Sequence, residues 1–157
     1  MKQLGNLVFI LFIGGLLTGS CDRDQVYDSF SKIEDGNWGW DEPVIFEAGI
    51  DDTLQNHDIL IQLRHTTSYP LSNLYMFVHV DGPSGQRMTD TINFILARKS
   101  GEWIGKGVGH LKEIGYLYKR EARFPESGIY RFTIEQAMRL EEVPVTEVGL
   151  RIKPSNS

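Results

Sequence analysis

Asp58-Ile59-Leu60-Ile61-Gln62-Leu63-Arg64 and, further on, Leu74-Tyr75-Met76-Phe77-Val78-His79-Val80 carry apolar side chains at every second residue. Ile59, Ile61 and Leu63 share one face of the first segment; Leu74, Met76, Val78 and Val80 share one face of the second, the pattern of half-buried strands. The same period returns in Ile92/Phe94/Leu96, Tyr130/Phe132/Ile134 and Val148/Leu150/Ile152, and more weakly in Val44 to Phe46 and Ile114 to Tyr118. Turn chemistry separates these runs: Gly49-Ile50-Asp51-Asp52, Tyr69-Pro70, Asp81-Gly82-Pro83-Ser84-Gly85, Ser100-Gly101-Glu102 and Pro125-Glu126-Ser127-Gly128. Only Glu135 to Glu142 is compatible with a short helix, so a parallel sheet would lack its crossover helices. The pattern predicts an all-β fold: an antiparallel β-sandwich of about seven or eight strands with at most one short helix, occupying residues 36–157.

Composition sets the outer limits. The chain has 157 residues, 41% of them hydrophobic, which suits one folded domain rather than a disordered or fibrous chain. A formal net charge of -5, with no run of Lys and Arg, opposes a nucleic-acid backbone as partner. The single cysteine, Cys21, excludes an intramolecular disulfide, a Cys-rich zinc site and a CxxC redox pair.

The first twenty residues read as an address. Met1-Lys2 is positive, Leu7 to Leu17 is apolar, and Thr18-Gly19-Ser20 supplies small residues ahead of Cys21. The apolar run is roughly half the ~20 residues a membrane-spanning helix needs. Residues 1–20 are therefore expected to be a lipoprotein signal peptide, cleaved so that the Cys21 thiol accepts a diacylglyceryl group. Two or three acyl chains hold a protein at a membrane without any transmembrane helix. Residues 21–35, mostly polar, read as the acylated tether, ending in a first edge strand.

Few residues point to chemistry. His57, His65, His79 and His110 fall in different segments without the spacing of a helical zinc pair, and no metal site is expected. Ser72 and Ser84 lack the G-x-S-x-G elbow of a hydrolase nucleophile. Gly105-Lys106-Gly107-Val108-Gly109 lacks phosphate-loop spacing and instead suits positive φ or close strand packing. No catalytic residue and no cofactor beyond the covalent lipid is assigned. Trp38 and Trp40 alternate, as if on one face of a strand, and Trp103 stands beside a Gly-rich turn. Exposed, the three rings would form an interaction surface for a protein pocket or for a glycan, on which aromatic faces stack.

Several segments, in order, resemble the gliding-motility lipoprotein GldH family of Bacteroidetes. They are Tyr69-Pro70 with Ser72-Asn73-Leu74, Asp90-Thr91 to Leu96-Ala97, and Gly101-Glu102-Trp103-Ile104-Gly105-Lys106-Gly107. Arg123-Phe124-Pro125 with Gly128-Ile129-Tyr130, Glu135-Gln136-Ala137-Met138-Arg139 and Val148-Gly149-Leu150-Arg151-Ile152 continue the series. The resemblance implies a non-enzymatic envelope lipoprotein of the gliding machinery, tied in that phylum to type IX secretion. It also implies a lipid anchor in the outer membrane facing the periplasm, and partners among other gliding or secretion envelope proteins. Arg139 and Arg151 are each expected to hold a carboxylate.

Overall fold

The computed structural model describes residues 25–155; the leader and Cys21 lie outside the described residues. Ten strands follow one another: β1 (Tyr27–Lys32), β2 (Trp38–Gly39), β3 (Val44–Ile50), β4 (His57–Thr66), β5 (Asn73–Asp81), β6 (Arg87–Ile95), β7 (Leu111–Ala122), β8 (Gly128–Gln136), β9 (Glu142–Val143) and β10 (Val145–Pro154). All pairings are antiparallel. One sheet has the order β1-β10-β4-β7 and the other β3-β8-β5-β6, while β2 and β9 pair with each other. The expected β-sandwich is present. The number of strands exceeds seven or eight through β2 and β9, which at two residues each are too short to carry a period.

Alternation builds the core. Ile59, Ile61 and Leu63 of β4 and Val148, Leu150 and Ile152 of β10 face Leu74, Met76 and Val78 of β5 and Phe132 and Ile134 of β8, all buried. Among the described residues, helical structure is limited to one 3-10 turn at Glu34–Gly36. Glu135 to Glu142 is not a helix. Glu135 and Gln136 end β8, paired with Phe77 and Met76. The buried Gln136 amide then shapes the following loop, donating from Nε2 to Leu140 O at 2.9 Å and accepting Met138 N–H at Oε1 at 2.9 Å.

The chain enters and leaves at one end of the sandwich. Tyr27 pairs with Ile152, and Pro154 pairs with His57 at the start of β4. We term this the near end; the far end holds Thr66, Asn73, Ile95, Leu111 and Gln136, the opposite termini of the same strands. β1 is the edge strand in which the segment 21–35 ends, so the sandwich begins at Tyr27, ahead of residue 36. It is fastened on both sides. Arg151 donates from Nη2 and Nε to Asp28 Oδ2 at 2.9 and 3.1 Å, and the Tyr27 ring meets Phe46 of the other sheet edge-on at 6.4 Å. Phe30 lies across Gly149, where a Cβ would stand 2.7 Å from the ring, and the Arg64 guanidinium covers Phe30 at 4.5 Å. Arg64 itself bridges Glu113 of β7 (2.8 Å) and Glu147 of β10 (2.6 Å).

The opposite edge of the sandwich, between β6 and β7, is closed by side chains. Asp90 Oδ2 accepts from Tyr118 Oη at 2.6 Å and pairs with Lys119 Nζ at 2.8 Å, and Phe94 stacks on Tyr116 at 5.2 Å. The β6–β7 loop folds back through the Gly-rich segment. Gly107 has φ +152°, and a Cβ there would run into the Leu111 carbonyl, so only glycine fits.

Two histidines are buried at opposite ends of β4, about 27 Å apart at the usual strand rise. His65 packs between Trp103 (4.8 Å) and Tyr69 (5.9 Å), and its Nδ1–H donates to the Thr66 carbonyl at 3.0 Å, leaving Nε2 buried without a partner. His57 meets Phe124 edge-on at 5.4 Å, with Nδ1 unpartnered. Burial holds both below the ordinary 6.5; Lys112 adds to this at His65, and Asp52 partly offsets it at His57.

Two predictions follow from this packing. Gly149→Ala forces Phe30 off β10 and should cost about 1–3 kcal/mol of stability, read as a lower urea midpoint. Because both imidazoles have lowered values in the folded state, their contribution is complete above pH 6.5 and is lost as pH falls through the window below it. Stability should therefore decline from pH 7 to pH 5 by up to about 1.4 kcal/mol per pH unit for each histidine. A His57→Phe/His65→Phe variant should flatten that slope in pH-dependent thermal melts.

Candidate functional site

At the far end, two segments distant in sequence come together. The loop after β8 runs beside β5: Ala137 N–H donates to the Tyr75 carbonyl at 2.8 Å, and Tyr75 N–H to Met138 Sδ at 3.1 Å. Leu71, Tyr75, Met138 and Leu140 thereby line a shallow depression of about 350 Å³. Three of them are substantially exposed: Leu71 41%, Tyr75 43% and Leu140 39%. The Trp40 backbone stands next to the Leu140 end of this depression. Its N–H donates to the Glu141 carbonyl at 3.0 Å, beside Leu140, and the residue is 61% exposed. These segments include Ser72-Asn73-Leu74 and Glu135-Gln136-Ala137-Met138-Arg139, two of those that carry the family resemblance.

The three tryptophans part company. Trp38 is fully buried, its Nε1–H donating to the Glu42 carbonyl at 2.7 Å. β2 ends at Gly39 and Trp40 lies in the following turn, so the alternation expected of Trp38 and Trp40 does not continue and the two rings do not share a face. Trp103 is half-buried over His65 and packs against the core. Of the three expected exposed rings only Trp40 is exposed. A signal for one of these was present in the sequence: Tyr75 and Phe77 are apolar on the face of β5 that alternation assigns to solvent.

Arg139 and Arg151 also differ. Arg151 stands opposite Asp28 in the β1–β10 register and holds its carboxylate, with both donors on one oxygen. Arg139 lies exposed in the loop after β8 and has no ion pair among the described residues, which corrects the expectation of a carboxylate there.

The Asp90–Tyr118–Lys119 group, where acid and base side chains do meet, is a clamp: the Lys119 ammonium holds Asp90 below the usual carboxylate range, and burial pushes the Tyr118 phenol up. An ionised carboxylate and a protonated phenol then stay as they are. Among the described residues no group of three or more His, Cys, Asp or Glu converges. Cys21 lies outside them.

Comparison with known proteins places these features in a family. Residues 25–152 match the family model described as GldH lipoprotein. The chain is 35% identical to a protein named gliding motility lipoprotein GldH homolog from Christiangramia forsetii, over 96% of each chain. It is 30% identical to the gliding motility lipoprotein GldH of Flavobacterium johnsoniae, over 92% of this chain and 94% of that one. The match spans all of the sandwich from β1 into β10, and the chain belongs to the GldH lipoprotein family.

Proposed function

We propose that this protein is a lipid-anchored, non-enzymatic component of the gliding machinery, working with the type IX secretion apparatus. The observation that carries the reading is the near full-length likeness to two proteins named for gliding motility. In this reading Cys21 carries the acyl chains and the domain hangs from the outer membrane into the periplasm.

The fold supports such a role. The first described residues lie at the near end, so an anchor a few residues upstream holds that end against the bilayer. The apolar patch of Trp40, Leu71, Tyr75 and Leu140 lies at the other end, one strand length away; for the ten residues of β4 this is roughly 33 Å. An exposed apolar cluster that includes an aromatic ring suits contact with an envelope protein. Confinement to a membrane raises the effective concentration of such a partner without any new contact. The separation of His57 and His65 along β4 supports binding over catalysis.

Deletion of the gene should abolish colony spreading and reduce secretion of cargo, with both restored by the wild-type gene. Unchanged movement and secretion in the deletion strain would overturn the assignment. Trp40→Ala together with Leu140→Asp should leave the melting temperature unchanged, because both residues are exposed. It should weaken capture of the envelope partner by about 30-fold, the loss expected for about 2 kcal/mol at a hot spot. Full partner capture by this variant, measured by in-cell cross-linking, would remove the far-end patch as the contact.

A further inference from the structure

β6 is an edge strand: β5 pairs with one side of it, and among the described residues no strand lies on the other. The ladder itself fixes which backbone groups are left over. Leu96 N–H donates to the Ser72 carbonyl and Gly82 N–H to the Gln86 carbonyl, both at 2.8 Å, so the even-numbered residues of β6 are the ones bonded to β5. Arg87, Thr89, Thr91 and Asn93 therefore direct N–H and C=O outward, where they meet no backbone partner among the described residues, and all four are exposed. The usual protections of an edge are missing. β6 holds no proline or lysine, and its register with β5 is unbroken from Ile95 opposite Asn73 to Arg87 opposite Asp81. Its inward-pointing acid, Asp90, is already held by Tyr118 and Lys119. The other edges are blunted: Lys106 and Glu113 exchange backbone bonds at 2.9 and 2.7 Å along part of β7, β1 carries Asp28 and Lys32, and β3 has Glu47 at its middle.

The opening between β6 and β7 supplies a second feature. Toward the near end it widens into a half-open depression of about 510 Å³, lined by Ile59, Val80, Met88, Ala122 and Phe132 among others, with Met88 45% exposed. A strand laid against β6 alternates its side chains, one set beside Thr89 and Thr91 on the outer face and the other into this opening. We propose that β6 takes up an extended segment of a different envelope protein as a fifth strand of its sheet, with an apolar side chain of that segment seated in the depression. Main-chain bonds hold such a strand, and the depression selects its sequence. The choice against a second copy of this chain rests on the lipid anchor of the proposed function. Two identical edges close into a dimer only antiparallel, about a twofold axis. Arg87 lies at the near end of β6 and Ile95 at the far end, so that pairing would turn the near end of one copy away from the bilayer that holds the other. A chain of different sequence is under no such restriction. This contact is separate from the far-end patch.

The test places the photoreactive residue p-benzoylphenylalanine in the full-length lipoprotein at Thr89 or, in a second strain, at Asn93, irradiates intact cells and maps the adducts by peptide mass spectrometry. Both positions should label one peptide of another envelope protein. Moving the probe from Thr89 to Asn93 should move the adduct by about four residues along that peptide, the step a strand ladder imposes. With the probe at Met88, Thr91→Pro removes an outward N–H while leaving the bonds to β5, and should cut the adduct about tenfold; Thr91→Ala should keep it. Thr89→Pro repeats the test at the next outward position, and the register step needs no proline if either variant melts lower than the wild type. The Trp40→Ala/Leu140→Asp variant should keep the adduct; its loss there would assign the contact to the far end and overturn the proposal. No adduct, one that stays in place as the probe moves, or one that survives both prolines would overturn it and leave the gliding assignment to the deletion strain. An adduct with a second copy would overturn it as well, and the mass of the Cys21 peptide then shows whether the anchor reading falls with it.

Discussion

The register between β4 and β10 sets Ile59, Ile61 and Leu63 opposite Ile152, Leu150 and Val148, and the rest of the molecule depends on that alignment. These six side chains make the inner face of one sheet, and β5 and β8 supply the other. A slip of one residue would turn every one of them to solvent, so burial enforces the alignment more strongly than any single hydrogen bond could. The outer face follows from it: Arg64 can bridge Glu113 and Glu147, and Phe30 can lie across Gly149, only when the strands sit in this register.

The topology adds a second constraint. Six of the seven connections between successive long strands pass from one sheet to the other; β5 to β6 alone remains within a sheet. Local pairing therefore supplies a single hairpin, and the remaining ladders join segments far apart in the chain. Such folds form slowly, because loops must close before the contacts that stabilise them exist. The same crossings bring the first and last described residues to one end of the sandwich and the Gly-rich loop, the Tyr69-Pro70 turn and the loop after Gln136 to the other.

Much of this could be read from the residues. Period-two alternation identified seven of the eight long strands, β1 having been read as the end of a polar tether, and the Gly-rich stretch was legible as a place of close backbone approach. The losses have physical causes. β2 and β9 are too short for any period, so Trp38 and Trp40 looked equivalent when one fills the core and the other lies in a turn. Glu135 to Glu142 has helix-compatible composition, yet β5 claims its first two residues and the Gln136 amide claims the loop. Arg139 and Arg151 looked alike because what separates them is the presence of Asp28 across a ladder, a tertiary fact. The near-end depression lined by Ile59, Val80, Met88, Tyr118 and Phe132 was invisible for the same reason: its wall comes from parts of five strands.

The placement of β1 bears on how the domain carries force. It is an edge strand running antiparallel to β10, and the chain reaches it from the near end. A pull between the N-terminal side of β1 and the far end of the sandwich is directed along the strands. The bonds of the β1–β10 ladder, the Asp28–Arg151 pair and the Phe30 packing then resist sliding together, in parallel. A pull across the strands would peel the same bonds away one after another. Shear along the strands therefore meets more resistance than separation across them.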